Sequence, residues 1–216
     1  APASRVCQMH RHHLRHGLAD DCLDLFHRML IRGITADAVS YTVLMQACAA
    51  SDSLEHASTL FSDMDAEKIE PTRATYNAFL NACAARAHSL ATLPRARKSH
   101  LRKLMVNVSP LEPLKLAHRQ LGVMAERGFA PDAATYMGLL RTHSAIGDAA
   151  GAQRTLSRML DTDVRPIHNH FYAMLYACIR HGLLHRSIDS EPTLALASSV
   201  LPSMEAPGLP EIGRAS

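Results

Sequence analysis

Apolar residues return along this chain at helical intervals, in two alternating phrases. In the first phrase, Tyr41, Leu44, Met45 and Cys48 fall at i, i+3, i+4 and i+7, which lines one face of a helix. In the second, Leu54, Ala57, Leu60, Phe61 and Met64 repeat that spacing. The pattern predicts one helix near Tyr41–Ala50 and another near Leu54–Glu67. Asp52 or Ser53 between them suits a helix N-cap. No sheet is expected.

Both phrases recur. The first returns at Tyr76, Tyr136 and, more weakly, Phe171; Tyr41 and Tyr76 are 35 residues apart, as are Tyr136 and Phe171. The second returns as Ala117, Leu121, Met124 and as Ala152, Leu156, Met159, and it precedes the first copy as Cys22, Leu25, Phe26, Met29. Pro71, Pro131 and Pro166 close three of the units, where they prevent helical continuation. These landmarks frame repeats at 3–37, 38–72, 73–132, 133–167 and 168–204, with an irregular Pro- and Gly-containing tail at 205–216. The third frame carries extra residues, so an insertion near 86–112 is expected. It should leave between a first helix ending near Ala85 and a second beginning near Pro113, which suits a first helical position. A lone hairpin cannot bury its apolar face, so neighbours must stack. The fold class is therefore all-α: a solenoid of about five helical hairpins, with about ten main helices.

Composition sharpens this in three places. There is no run of eighteen apolar residues, so no membrane span is expected. The net charge is only +3, yet between Pro71 and Leu111 there is no Asp or Glu, while Arg73, Arg86, Arg95, Arg97, Lys98, Arg102 and Lys103 all fall there. A one-sign stretch of that length is an electrostatic footprint for RNA phosphate or an acidic protein, or else a solvated loop. Finally, the five Cys (7, 22, 48, 83 and 178) do not cluster, which argues against a disulfide framework. Cys48, Cys83 and Cys178 share one slot in the first helices, and Cys22 takes a slot filled elsewhere by Ala, so these four read as small core residues. Cys7, His10, His12, His13 and His16 crowd the first helix, but a structural metal site needs four converging ligands, so no metal is assigned. The chain begins at Ala1, which fits a processed product or a fragment of something longer, and no targeting segment is visible.

The Pro131-Asp132-Ala-Ala-Thr-Tyr136 and Asp37-Ala-Val-Ser-Tyr41-Thr phrases, the Leu-Phe-x-x-Met phrase and the 35-residue period resemble the pentatricopeptide repeat over nearly the whole chain. The tetratricopeptide repeat, a peptide-binding rival, has a 34-residue period and a Trp signature, and this chain has no Trp. The resemblance implies a right-handed α-solenoid that binds RNA in an organelle, the mitochondrion or alternatively the plastid. It implies that the fifth and last residues of each repeat read bases. Those pairs here are Cys7/Asp37, Thr42/Thr72, Asn77/Asp132 and Met137/Ile167, with Tyr172 in the last repeat. Asn77/Asp132 matches the pair associated with uridine, and Met137/Ile167 offers no strong polar group to a base edge. With one clean pair, the resemblance fits a scaffold in a large ribonucleoprotein such as the mitochondrial ribosome, with RNA and other proteins as partners. A free transcript-binding factor is the alternative. Neither the His-x-Glu nor the Cys-x-x-Cys of a zinc deaminase occurs. No enzyme activity, cofactor or small-molecule substrate is expected.

Overall fold

The computed structural model describes residues 17–93, 109, 111–162 and 164–184. Within them run eight α-helices and no strand: α1 (Gly17–Ile31), α2 (Ala38–Ala50), α3 (Leu54–Ala66), α4 (Arg73–Thr92), α5 (Leu111–Glu126), α6 (Ala133–Ile146), α7 (Ala149–Leu160) and α8 (His168–Leu184). Two compact units divide the chain, residues 1–130 with α1 to α5 and residues 131–216 with α6 to α8.

In the first unit the two sequence phrases meet as packing. Phe26 of α1 meets Tyr41 of α2 edge-on at 5.3 Å between ring centroids. Phe61 of α3 meets Tyr76 of α4 at the same distance and Phe79 at 5.5 Å. The aromatic of one second helix therefore seats on the tyrosine that opens the next hairpin. Met45, Met64 and Cys83 are fully buried around these pairs. Each pair contributes about 0.5–1.5 kcal/mol beyond its burial. In the second unit Leu140, Leu156, Phe171 and Met174 close a separate core, with Ala149, Ala152, Ala177 and Cys178 as the small residues that let helices approach.

Helix ends follow one scheme. After α1, α3 and α5 the chain turns left-handed at Gly33, Lys68 and Gly128. In each case the next amide donates back to the carbonyl five residues earlier: Ile34 to Met29, Ile69 to Met64 and Phe129 to Met124, at 2.9–3.1 Å. This is the αL closure that suits Gly, because a Cβ is strained there. The first helices break similarly at Asp52 after α2 and Gly147 after α6.

The third hairpin departs from expectation, and the same scheme explains why. The sequence pattern ends its first helix near Ala85, but α4 runs on to Thr92. The residue in the slot of Asp52 and Gly147 is Ala87, the best helix former, and it is fully buried. Helix then continues until Pro94 disfavours it for the preceding residue. The following helix starts at Leu111, so Pro113 is its third residue rather than its first. The missing proline N–H is harmless there too, because the first four helix amides have no intrahelical acceptor. The rest of the expected insertion, 94–108, lies outside the described residues, as do the N-terminal Cys and His cluster and the tail.

Candidate nucleic-acid interface

The last residues of the first three repeats are, in the structure, the N-caps of the first helices that follow them. Asp37 caps α2, accepting from the amide and hydroxyl of Ser40 at 2.8 and 2.7 Å. These bonds hold its carboxyl below the ordinary carboxylate range. Asp132 caps α6, accepting from the Thr135 amide and hydroxyl at 2.9 Å, while its own amide donates to the Thr135 hydroxyl at 3.1 Å. Thr72 caps α4 in the same reciprocal box with Thr75. A side-chain oxygen that satisfies an orphan helix amide is favoured at this position whatever ligand binds nearby. The signal is present in the sequence, as Asp-x-x-Ser, Thr-x-x-Thr and Asp-x-x-Thr before each apolar run, and a reading of these residues as base readers alone passes over it.

In the first unit the structure brings Thr42 and Thr72, the fifth and last residues of one repeat, to a shared neighbour. Thr75 lies 2.8 Å from the Thr42 hydroxyl and 3.0 Å from the Thr72 hydroxyl. The directions follow from counting protons. Thr42 donates to the Ala38 carbonyl at 2.7 Å, so it must accept from Thr75. Thr75 must then accept from Thr72. The chain Thr72 to Thr75 to Thr42 to Ala38 thus uses all three hydroxyl protons internally. Exposed Thr72 keeps acceptor capacity for a ligand, whereas buried Thr42 presents no donor.

Asn77, the next fifth residue, is half-buried on α4. It belongs to the first unit and Asp132 to the second. Met137 is half-buried on α6, and Tyr172 and Ile167 are about half exposed. Ile167 stands where Asp or Thr caps the other first helices, and His170 takes over the task. Its Nδ1 accepts the Ile167 N–H at 3.0 Å, so the ring proton sits on Nε2 and is donated to the Ala133 carbonyl of α6 at 2.9 Å.

The cations divide three ways. Arg73 is exposed at the first position of α4. Arg86 is held by the turn of the preceding hairpin, with Nη1 3.3 Å from Asp52 Oδ2 and Nη2 3.1 Å from Glu55 Oε1, so its charge is balanced locally. Arg95, Arg97, Lys98, Arg102 and Lys103 lie outside the described residues. Burial pushes the Cys48 and Cys83 thiols up to about 12, which makes them inert core groups. Among the described residues no cluster of His, Cys, Asp or Glu is arranged to hold a metal, and no helix is long and apolar enough to cross a membrane.

Comparison with known proteins agrees with the helical register. The pentatricopeptide repeat domain profile matches residues 24–86, and the PPR repeat profile matches 8–34. Pentatricopeptide repeat-containing protein 1, mitochondrial, of Rattus norvegicus is 37% identical over 73 residues, which are 33% of this chain and 11% of that protein. Its Homo sapiens counterpart is 33% identical over 76 residues, again 11% of its length. The matched stretch therefore spans about a tenth of these relatives. Among solved structures, the PPR domain of Arabidopsis thaliana protein-only RNase P 1, in complex with tRNA, superposes with a TM-score of 0.56 at 18% identity. That match covers 93% of this chain and 91% of that one, and it places the chain in the same helical-repeat fold.

Proposed function

Since the chain is a pentatricopeptide-repeat protein, we propose that it is a non-catalytic RNA-binding scaffold of the mitochondrion, working within a large ribonucleoprotein such as the mitochondrial ribosome. The observation that carries the reading is the register. In the first unit the fifth and last residues of one repeat, Thr42 and Thr72, converge through Thr75 at the starts of two consecutive first helices. A single strand laid across such helix starts meets one pair per repeat. The RNA-bound state of the Arabidopsis neighbour and the mitochondrial names of the curated relatives support the setting. The inward hydroxyl chain at Thr42 and the apolar Met137 and Ile167 favour contact with RNA backbone over a long base readout.

Asn77 in the first unit and Asp132 in the second are, each by itself, the base-contacting residues we propose, with Thr72 as a weaker acceptor. Wild-type protein should prefer a short strand with uridine at one position, and Asn77→Thr should move that preference toward guanosine. Equal binding of all four bases by both proteins would leave only backbone recognition. For the backbone, Arg73 and the cations Arg95, Arg97, Lys98, Arg102 and Lys103 are the proposed phosphate partners. Replacing the last five with Ala should flatten the salt dependence of RNA binding by about 0.7–0.9 log units for each phosphate no longer neutralised. An unchanged slope would remove the basic segment from the interface. Co-sedimentation with ribosomal particles separates the scaffold from a transcript-specific factor, which would travel with a messenger instead.

A further inference from the structure

The five tyrosines of the chain divide into two kinds. Tyr41, Tyr76 and Tyr136 are buried at the starts of the first helices, whereas Tyr172 is 49% and Tyr176 64% exposed. These two are the only exposed aromatic residues among those described. They stand one turn apart on the same face of α8, and Ile179, also exposed, extends the stripe at i+7. Among the described residues neither ring has a hydrogen bond or a ring partner. A contiguous apolar stripe of this kind marks a binding surface, where a lone exposed residue would not.

The other first helices put different chemistry in these slots. The place of Tyr172 in the repeat is held by Thr42, Asn77 and Met137, and that of Tyr176 by Gln46, Asn81 and Arg141. On α2 the next first helix closes this face, with the Thr75 hydroxyl of α4 2.8 Å from that of Thr42. A tyrosine in the Thr42 slot bars so close an approach, because its ring fills the space that the neighbouring helix takes. The α8 face is therefore poorly shaped for a further hairpin at that spacing. Its charge points to another occupant. Between Val164 and Leu184 there is no Asp or Glu, while Arg165 and Arg180 fall there. Arg180 stands one turn beyond Tyr176, in line with both rings.

We propose that Tyr172 and Tyr176 form a stacking platform for the bases of a single RNA strand, with Arg180 taking a phosphate at its end. Exposed aromatic faces beside cations and away from acids are what an unpaired strand needs, since every base has a π-face and every link a negative charge. Ile179 gives the sugar an apolar edge to lie against. The proposal rests on the RNA-binding reading above and adds a mode of contact to it: stacking tolerates any base, and it requires neither Asn77 nor Asp132.

The test is the affinity of the full chain for two short single strands, an oligoadenylate and an abasic strand of the same sugar–phosphate length. Wild-type protein should bind the oligoadenylate more tightly. Both tyrosines are exposed, so Tyr172→Leu and Tyr176→Leu should leave helicity by circular dichroism unchanged. Each should weaken the oligoadenylate by about fivefold or more and leave the abasic strand unaffected, while Tyr176→Phe should keep wild-type affinity. If wild type binds neither strand, the RNA-binding reading falls and the platform with it. If wild type binds but the Leu variants match it, or weaken both strands equally, only the platform falls. A concentration-dependent dimer that Tyr176→Leu abolishes also overturns the proposal, because the face then belongs to a second copy of the chain.

Discussion

The hairpins α2–α3 and α6–α7 carry the same sequence phrase and solve one packing problem in opposite ways. Cys48 on α2 and His143 on α6 hold the same place in the repeat, as do His56 on α3 and Gly151 on α7. One hairpin carries a small thiol on its first helix and an imidazole on its second. The other carries the imidazole on its first helix and no side chain on its second. All four residues are buried. In α6–α7 the coupling is visible: His143 Nδ1 lies 3.0 Å from Asp148 Oδ2, and a Cβ on Gly151 would run into both the imidazole ring and that carboxylate. Asp148 also caps α7 through the Gly151 amide at 2.8 Å. The repeat therefore keeps total volume between two helices, not the identity of either position, as close packing requires.

The strongest way to break this comparison is Gly151→Ala. It should destabilise the second unit by about 1–3 kcal/mol in denaturant unfolding, because neither the buried ring nor the capping carboxylate can move freely. Added to His143→Cys, which installs the residue of α2, it should cost less than about 1 kcal/mol more. Additive losses would show that the two positions are not coupled.

Next in size is the hydroxyl node of the first unit. Thr75→Val keeps the shape but leaves the Thr72 amide and hydroxyl, and the Thr42 hydroxyl, without their shared partner. A loss of about 1–3 kcal/mol is expected. Ser40→Ala at the corresponding place on α2 should cost no more than about 0.5 kcal/mol, because its cap is exposed. Equal losses would mean that burial of the node adds nothing.

Cap identity comes third. Asp132→Ala should destabilise the second unit by about 1 kcal/mol, and Asp132→Asn by a few tenths, both read from denaturant unfolding. Asp132→Asn thus leaves the fold largely intact while testing base preference. Lys68→Gly should go the other way, stabilising by about 0.5–1 kcal/mol, because Lys68 holds the left-handed turn that Gly takes after α1 and α5.

The smallest effect is one of pH. The folded-state pKa of Asp37 is depressed by its Ser40 bonds, so its contribution is complete above the unfolded carboxylate pKa. It is lost as pH falls through the lower, folded value. Asp37→Asn should therefore flatten the acid limb of the stability profile, with a small loss at neutral pH that vanishes as the pH falls below the folded-state value.

Much of this is legible in the chain. Tyr41, Tyr76 and Tyr136 announce the first helices, and Phe26, Phe61, Met64 and Met159 the second, because burial on one helical face demands that spacing. The apolar slot of Cys48, Cys83 and Cys178 is equally plain. What escapes is chemistry shared between uses. Asp37, Thr72 and Asp132 read as a ligand code, and the structure shows them capping helices with Ser40, Thr75 and Thr135. Arg86 reads as a free cation, and it is bound by Asp52 and Glu55, which are more than thirty residues away in sequence.

By itself the sequence determined the helical period, the hairpin register and the small-residue slots, since these depend on local geometry and on which face is apolar. The tertiary structure alone decided three further matters. Ala87, lacking a left-handed turn, lets α4 run on where its siblings stop. The hydroxyl protons of Thr42, Thr72 and Thr75 all point inward along one chain. Arg86 is paired with Asp52 and Glu55 of the preceding hairpin. Each of these depends on what a neighbouring hairpin places against the residue, and stacking sets that, not periodicity.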